Sequence, residues 1–490
     1  MSVSVNRNYG VVKPMFSSHT NLRPYVLFAL SFLVCVECIF PSSTAAQASS
    51  DNAAPQFDQQ VQLMQPAGAD GASPPVMITL SDAIARARKN DTQFLAAGAD
   101  ARVSHEDRVQ ARNAMLPTVS ATTQALLTQG NGKTANGRFV TNDGVHVYRA
   151  WGVLHEDLSP QNYTLTSYHR AGAVEAISRA KAEIASRGLT VTVTKLYYTL
   201  AVSEHRYATA QQSLDQAKHF FEITQHAEQL GGAAHADVIK AEIQYRQQEQ
   251  SFGESTLAME NARLDLAVLL FPTLNENFTI VDDLESSAEL PPFTEVQSMA
   301  GKENPTLRVA LESTRQADAE AFAAKVAFLP TLTLDVDYGI EANSFALRSP
   351  IAADRALGPL PNLGYFVTAG FNLPVWDWGT LRSKLHQAKY KQEVAHAEMS
   401  QTQRTLLSEL YSAYNEASVA RASFENSRRT ADLAAESLRL INLRYQAGES
   451  TALEVVDALN TQLMARNAND DAGLRYRVAL ATLQTLTGSF

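Results

Sequence analysis

The chain has 490 residues, of which 45% are hydrophobic, and its formal net charge at pH 7 is −10. An acidic chain without clustered lysine and arginine is unsuited to neutralising phosphates, so the composition argues against nucleic-acid binding. Both cysteines, Cys35 and Cys38, lie in an apolar segment near the N-terminus. Beyond that segment the sequence therefore excludes disulfides, thiolate chemistry and cysteine-bound zinc.

The N-terminal segment has the features of a secretion signal. Basic residues lead into an apolar run from Tyr25 to Phe40, and Ala46-Gln47-Ala48 supplies a small-x-small cleavage site. We therefore expect a signal peptide over residues 1–48; a membrane anchor and a lipidated cysteine are the alternatives. Residues 49–78 are rich in Ala, Gln, Ser and Pro, which predicts a disordered leader.

The remaining chain is a tandem duplication. A helical segment ends at Leu116-Pro117-Thr118, and its counterpart ends at Leu329-Pro330-Thr331. Each is followed by a β-like region and then by a very long helical region. An internal repeat of this length predicts a duplicated half-protein rather than a solenoid. The expected repeats are residues 79–274 and 294–490, joined by an inter-repeat segment at 275–293. The two leading helices are expected over the ranges Ser81–Ala114 and Thr294–Ala327.

The β-like regions alternate apolar and polar residues. Leu332, Leu334, Val336 and Tyr338, for example, are separated by Thr and Asp. Strands of about ten residues with one apolar face are typical of outer-membrane strands between lipid and water. We predict four strands, over residues 118–128, 148–158, 331–339 and 364–374. Tryptophans suited to a membrane-edge girdle are Trp151, Trp376 and Trp378.

Two long stretches lack proline, from Gln161 to Phe271 and from Val375 to Phe490. Their apolar residues alternate at spacings of three and four, as in a coiled-coil seam. Glycines interrupt them at Gly231-Gly232 and Gly448, so each is predicted as a helical hairpin with its tip near residue 231 or 448. The predicted fold is mainly α with a small β part: a duplicated helix, two strands and long helical hairpin.

The sequence contains no catalytic, nucleotide-binding or metalloprotease motif, and we expect neither an enzyme nor a cofactor or metal site. One cluster of charged residues stands out. Glu454 and Asp457 share a helix face just after Gly448, and Asp237 holds the equivalent place after the first tip. These carboxylates stabilise a helix N-terminus, or they form acidic rings that constrict a tube and attract cations.

The run from Arg444 to Asp457, the strand exit Leu373-Pro374-Val375-Trp376-Asp377-Trp378-Gly379 and the doubled Leu-Pro-Thr segments together resemble the outer membrane efflux protein family of TolC-like channels. The resemblance covers nearly the whole chain after the leader. It implies a homotrimer with a twelve-stranded outer-membrane β-barrel and a periplasmic α-helical tunnel. It also implies passive export with a periplasmic adaptor and an inner-membrane pump, and a gate at the tips that involves Tyr445.

Two features depart from the family pattern. Ser450 stands where some members carry a basic residue, and the first strand exit, from Asp157 to Asn162, lacks the aromatic-Gly sequence. A role in type I protein secretion is an alternative to efflux. A periplasmic coiled-coil adaptor or scaffold is a further alternative, against which the four amphipathic strands argue. Physics alone does not give the number of chains, but four strands cannot close a membrane barrel, so several chains must share it.

Overall fold

The computed structural model describes residues 75–127, 146–231, 234–273, 277–286, 290–342, 346–352, 359–447 and 449–488. The predicted signal peptide, most of the predicted leader, Gly232 and Gly448 lie outside these residues. Within them the chain is mainly helical with a small β part, which confirms the predicted fold class.

The order of helix, two long strands and long helical hairpin occurs twice. The first half contains β1 (Val76–Ile78), α1 (Leu80–Asn90), α2 (Thr92–Asn113), β2 (Thr118–Leu127), β3 (His146–Asp157), α3 (Pro160–Tyr163), α4 (Thr166–Gln229) and α5 (His235–Leu270). The second half contains β4 (Phe278–Ile280), α6 (Phe293–Glu303), α7 (Pro305–Val326), β5 (Thr331–Ala342), β6 (Arg348–Ala352), β7 (Pro359–Pro361), β8 (Leu363–Asn372), α8 (Thr380–Gln446) and α9 (Ala452–Thr487).

The helical segment before each Leu-Pro-Thr is divided in two, so the expectation of one continuous helix is wrong in both repeats. Asp91 ends α1 and starts α2, because its Oδ1 accepts a hydrogen bond from the Phe94 amide at 2.6 Å. Asn304 does the same between α6 and α7, where Pro305 occupies the first helical position. A side chain that caps the next helix offers the backbone an alternative to continuing the previous one.

At each break between helices, an asparagine side chain also binds the C-terminal end of a helical hairpin. The side-chain amide of Asn90 donates to the carbonyl oxygen of Leu270 at 2.6 Å, at the C-terminus of α5. Asn304 donates to the carbonyl oxygen of Leu486 at 3.2 Å, near the C-terminus of α9. The last carbonyls of a helix have no partner within it, and these amides satisfy them. The level at which the short helices meet is called the waist below.

Residues 76–78 form strand β1, so their assignment to a disordered leader is wrong. The strand pairs in parallel with β4, and Ile78 is fully buried. The Tyr197 hydroxyl on α4 donates to the carbonyl oxygen of Val281 at 2.6 Å, just after β4. Both strands are three residues long and their partners are distant in sequence, so no local pattern marks them.

The helical wall is four helices wide at both levels. Near the long strands, α2 packs on α4, α4 on α7, and α7 on α8. Beyond the waist, α5 packs on α4, α4 on α9, and α9 on α8. Buried alanines such as Ala210, Ala217, Ala417 and Ala420 allow the helices to approach closely. The long helices α4 and α8 have 64 and 67 residues, about 100 Å each at 1.5 Å per residue.

In the part of the chain that the structure describes, no helix has the length and hydropathy needed to cross a membrane.

The four long strands form one antiparallel sheet in the order β2-β3-β5-β8. The register sorts their side chains onto two different faces. The apolar face contains Val119, Leu154, Leu332, Leu334, Val336, Tyr338, Tyr365, Val367 and Phe371. The polar face contains Thr118, Ser120, Thr122, Gln124, Arg149, His155, Asp335, Asp337, Glu341 and Thr368. Val119 and Tyr365 on the apolar face are 80% and 79% exposed in a single subunit.

The register contradicts the expectation that Trp151 belongs to a membrane-edge girdle. Trp151 lies near the middle of β3 and pairs with Gly339, on the same face as Asp335 and Asp337. The apolar face of β3 carries Glu156 and small residues, so the strand alternates weakly between apolar and polar side chains. The sequence therefore does not indicate on which face of the sheet Trp151 lies. Trp376 and Trp378, by contrast, are exposed and lie after β8, where the strand leads to α8.

Gly339 is the position at which the sheet tolerates no side chain. A Cβ at this residue would overlap the Ala150 carbonyl oxygen and the Trp151 Cα. We expect Gly339→Ala to lower the free energy of unfolding by about 1–3 kcal/mol, because the β3–β5 pair must shift. Gly364→Ala is the matched control, since nothing lies within 4 Å of its Cβ position. Chemical unfolding followed by circular dichroism measures both; equal effects would contradict the close approach.

Candidate functional site

The turn of the second hairpin is held by hydrogen bonds from polar side chains. Thr451 caps α9, and its Oγ1 accepts a hydrogen bond from the Glu454 amide at 3.3 Å. The Ser450 hydroxyl donates to Glu454 Oε2 at 2.5 Å. Before the turn, the Arg444 carbonyl oxygen accepts from the Glu449 amide at 2.9 Å. The carboxylate of Glu454 therefore has a definite role at the start of the helix.

Glu454 and Asp457 are both exposed, whereas Val455 and Ala458 between and beside them are buried. The two carboxylates thus point away from the packed side of α9. The hydrogen bond from Ser450 holds the pKa of Glu454 below its usual value, so this group is charged well into the acidic range. The structure supports the helix-stabilising interpretation for Glu454 and leaves the acidic-ring interpretation as a prediction.

The turn of the first hairpin is related but not identical. Gly231 has a φ of 78°, a left-handed conformation that glycine adopts without strain. Asp237 is the third residue of α5, as Glu454 is the third of α9. It is half-buried and lies 3.8 Å from Lys240 Nζ, and Ala234, the residue before α5, makes no side-chain cap. Asp237 and Glu454 therefore occupy equivalent positions, as predicted, but they contact different partners.

An apolar cluster joins all four helices next to the tips. Phe220 of α4 and Tyr445 of α8 have ring centroids 5.4 Å apart, and Ala241 of α5 and Val455 of α9 are buried beside them. The family resemblance points to Tyr445, whereas it does not single out Phe220. Its only signal was its place in the α4 apolar pattern, which is shared by every core residue of that helix.

One buried polar contact also crosses between the hairpins. The Gln244 side chain of α5 is almost fully buried and donates to Asn460 Oδ1 of α9 at 3.0 Å. The tip is thus four helices held by an apolar cluster and one buried amide pair, with acids on the outside. The described residues contain no group of histidine, cysteine or acidic side chains arranged to hold a metal ion.

A charged histidine links the hairpins near the waist. His205 of α4 lies 2.6 Å from Asp282 through Nε2 and 3.4 Å from Asp470 of α9 through Nδ1. The hydrogen bond with Asp470 and that with Asp282 outweigh burial and raise the His205 pKa to about 9. The imidazolium therefore persists at neutral pH and bridges α4, α9 and the segment that follows β4. No sequence pattern marks this site, since its three members are far apart in the chain.

Comparison with known proteins gives consistent likenesses. Residues 296–489 match the sequence model of the outer membrane efflux protein family. The chain is 23% identical over 402 residues to the outer membrane protein OprJ of Pseudomonas aeruginosa, covering 79% of this chain and 78% of OprJ. It is 24% identical over 199 residues to the outer membrane protein TolC of Escherichia coli. That second alignment spans only 40% of either chain.

The fold is also similar to solved channel structures. The CmeC outer membrane channel of Campylobacter jejuni superposes with a TM-score of 0.70 at 17% sequence identity. The match covers 91% of this chain and 94% of that one. Both repeats, with their strands and hairpins, therefore have counterparts in a known channel fold.

His205 gives the waist a pH dependence that can be measured. Its folded pKa of about 9 exceeds the ordinary value of 6.5, so its stabilising contribution is complete below about pH 6.5 and is lost as pH rises through 9. We expect the thermal unfolding midpoint to fall between pH 7 and 9.5, by the equivalent of about 1 kcal/mol after solvent screening.

His205→Gln should flatten this decline. His169→Gln, at an exposed histidine on the same helix, should keep it. An unchanged decline in His205→Gln would contradict the assignment.

Proposed function

We propose that the chain belongs to the outer membrane efflux protein family and is the outer-membrane channel subunit of a tripartite export system. In this role it is a passive conduit from the periplasm to the exterior. Its strands lie in the outer membrane and its helices in the periplasm. The observation that carries the proposal is the two-faced sheet of β2, β3, β5 and β8, which leads directly into helices of about 100 Å.

The sheet fits a wall between lipid and water. Its apolar face exposes Val119, Tyr365, Val367 and Phe371, a composition suited to hydrocarbon. Its polar face carries the hydrogen-bonded pairs His155–Asp335 and Arg149–Glu341, which are suited to a water-filled lumen. The register places the apolar face of all four strands on the same side of the sheet, so the sheet forms one continuous segment of such a wall.

Assembly follows from the edges of the sheet. Within the described residues, β2 and β8 each pair with one neighbour only, which leaves one backbone edge of each without hydrogen bonds. Hydrocarbon does not tolerate open edges, so β2 of one subunit pairs with β8 of the next. Three subunits give twelve strands, above the minimum of eight for a bacterial barrel.

The helical wall has matching edges. On one side, α8 exposes Tyr390, Val394, Val419 and Leu433; on the other, α5 exposes Ile239, Ile243, Leu257 and Val268. Exposed apolar residues along both outer helices are typical of a surface that another subunit covers. The trimeric tunnel thereby has twelve helices at each level. A periplasmic adaptor and an inner-membrane pump complete the system at the tip end.

The tips form the gate of this tunnel. Glu454, Asp457 and Asp237, in three copies each, make acidic rings at the narrow end, and the cluster around Phe220 and Tyr445 keeps each pair of hairpins together. Exposed carboxylates at a constriction favour cations over anions. The gate opens when the hairpins are drawn apart, and the adaptor supplies the force.

Adjacent residues of β8 test the lipid and lumen faces. Val367→Arg places a charge on the apolar face and should destabilise the assembled protein by about 2–4 kcal/mol near the membrane midplane. Thr368→Arg places the same charge on the opposite face, opposite Asp335, and should be tolerated. The yield of folded protein in outer membranes and its unfolding in lipid bilayers measure both. Equal damage would mean that the sheet does not separate lipid from water.

Replacing Glu454 and Asp457 together with Ala should reduce the cation preference of the channel at neutral pH, because six carboxylates leave the constriction of a trimer. The reversal potential in a salt gradient across a planar bilayer measures it. Acidification should weaken the selectivity of the unsubstituted channel as the carboxylates are protonated, and the lowered pKa of Glu454 keeps that group charged further into the acidic range.

Thr451→Ala is the control for helix capping. It removes the cap, at a cost of about 1 kcal/mol, but leaves both charges in place. If Thr451→Ala changes the selectivity as much as the double substitution does, the carboxylates only stabilise the helix and the gate lies elsewhere.

A further inference from the structure

Two aromatic side chains meet in the middle of the polar face of the sheet. Trp151 of β3 and Phe366 of β8 have ring centroids 6.1 Å apart, although β5 lies between their strands. They reach each other because Trp151 pairs with Gly339 of β5, which has no side chain to separate the rings. A Cβ at Gly339 would meet the Trp151 ring as well as the Ala150 carbonyl oxygen and the Trp151 Cα.

An ion pair holds the Trp151 ring in place. The Arg149 guanidinium lies over this ring, 5.3 Å from its centroid. Arg149 also donates to Glu341 Oε1 from Nη2 at 2.8 Å and from Nε at 3.0 Å, and to Gln124 Oε1 from Nη1 at 3.0 Å. Residues from all four strands thus form one structure on a single face. Hydrogen bonds of this kind restrict a side chain to one orientation.

The aromatic pair is accessible and its surroundings are acidic. Phe366 is 55% exposed, although its neighbours on this face are polar. Asp337 pairs with Phe366 across the strands, and Asp335 lies two residues further along β5. Arg149 and His155 are the basic side chains on the described part of this face; they pair with Glu341 and Asp335, and Asp337 is the carboxylate that remains beside the Phe366 ring. An exposed ring beside carboxylates is suited to a flat cation, which stacks on the ring and is attracted by the charges.

We propose that Trp151 and Phe366 form a contact site for planar aromatic cations in transit through the barrel lumen. The site rests on the proposed channel function, in which three copies surround the lumen as an aromatic collar. The collar lies about 20 Å along the strands from the helical end, since Trp151 is six residues from Asp157. It is therefore far from the acidic tips and gives the conduit a second point of selection.

The packing of the rings with each other does not account for this arrangement. A pair that served only to fill space would be covered, whereas Phe366 is more than half exposed. A membrane-edge girdle would lie on the apolar face, where Phe371 and Tyr365 lie, and the rings are on the opposite one. Exposure to water, a fixed orientation and adjacent carboxylates point to a ligand.

Trp151 emission reports on both the channel and the collar. The chain has three tryptophans, so Trp376→Phe together with Trp378→Phe isolates Trp151. In lipid nanodiscs, acrylamide should quench Trp151 and brominated lipids should not. Methyl viologen, a flat aromatic dication that quenches tryptophan, should do so with a saturable concentration dependence. Tetrapropylammonium, a cation without a ring, should not displace it.

Phe366→Leu should raise the half-saturating concentration of methyl viologen about fivefold, the loss expected for one aromatic contact. Phe371→Leu, on the same strand but the opposite face, is the matched control and should leave it unchanged. Quenching by brominated lipids instead of acrylamide would overturn the face assignment and, with it, the proposed channel. Quenching by acrylamide combined with linear, Phe366-independent quenching by methyl viologen would overturn the collar alone.

Discussion

Unpaired backbone at the edges of a four-stranded sheet is the constraint on which the rest of this protein depends. A strand in hydrocarbon must have hydrogen-bond partners on both sides, and β2 and β8 each have a partner on only one side among the described residues. A single subunit with this sheet is therefore an incomplete structure. The exposed apolar residues of α5 and α8 have the same origin, because the helices below an open sheet also lack neighbours. In the proposed channel, subunit assembly and the closed helical wall both follow from this one unsatisfied set of amides and carbonyls.

The helical wall meets a different demand, since water lies against much of it. Alanine seams bring the helices close together without a thick apolar core, and charged groups that become buried have specific partners. Glu175 of α4 is 1% exposed; Arg108 of α2 donates to it at 2.9 Å, His105 of α2 contacts it at 2.7 Å, and Arg179 pairs with it as well. Burial raises the pKa of Glu175, but the hydrogen bonds from Arg108 and His105 outweigh that effect and keep it below its usual value. Removing one partner of such a group is costly, so these contacts fix how α2 lies on α4.

The sequence predicted the elements that depend on long periodic patterns. The fold class is confirmed, the four long strands lie within a few residues of the expected ranges, and the long helices end within a few residues of the expected tips. Strand β1 and the breaks at Asp91 and Asn304 were missed, because a three-residue strand and a single capping residue have no periodicity. Trp151 was assigned to the membrane edge although it lies in mid-strand on the polar face, because β3 alternates weakly. Phe220 and His205 were missed for a third reason: their partners come from distant segments, so only the folded chain reveals them. The gate residues Glu454, Asp457, Asp237 and Tyr445 remain predictions.

The arrangement of helix ends at the waist has a mechanical consequence. The short helices end there, with Asn90 and Asn304 tied to the ends of α5 and α9, while α4 and α8 continue through the same level without interruption. The helix ends are therefore staggered, and at every level of the wall at least two of the four helices are continuous. Such a wall resists bending at its middle and lacks a hinge there. A twisting force applied at one end of the wall is transmitted by the continuous helices α4 and α8 to the residues at which these helices end.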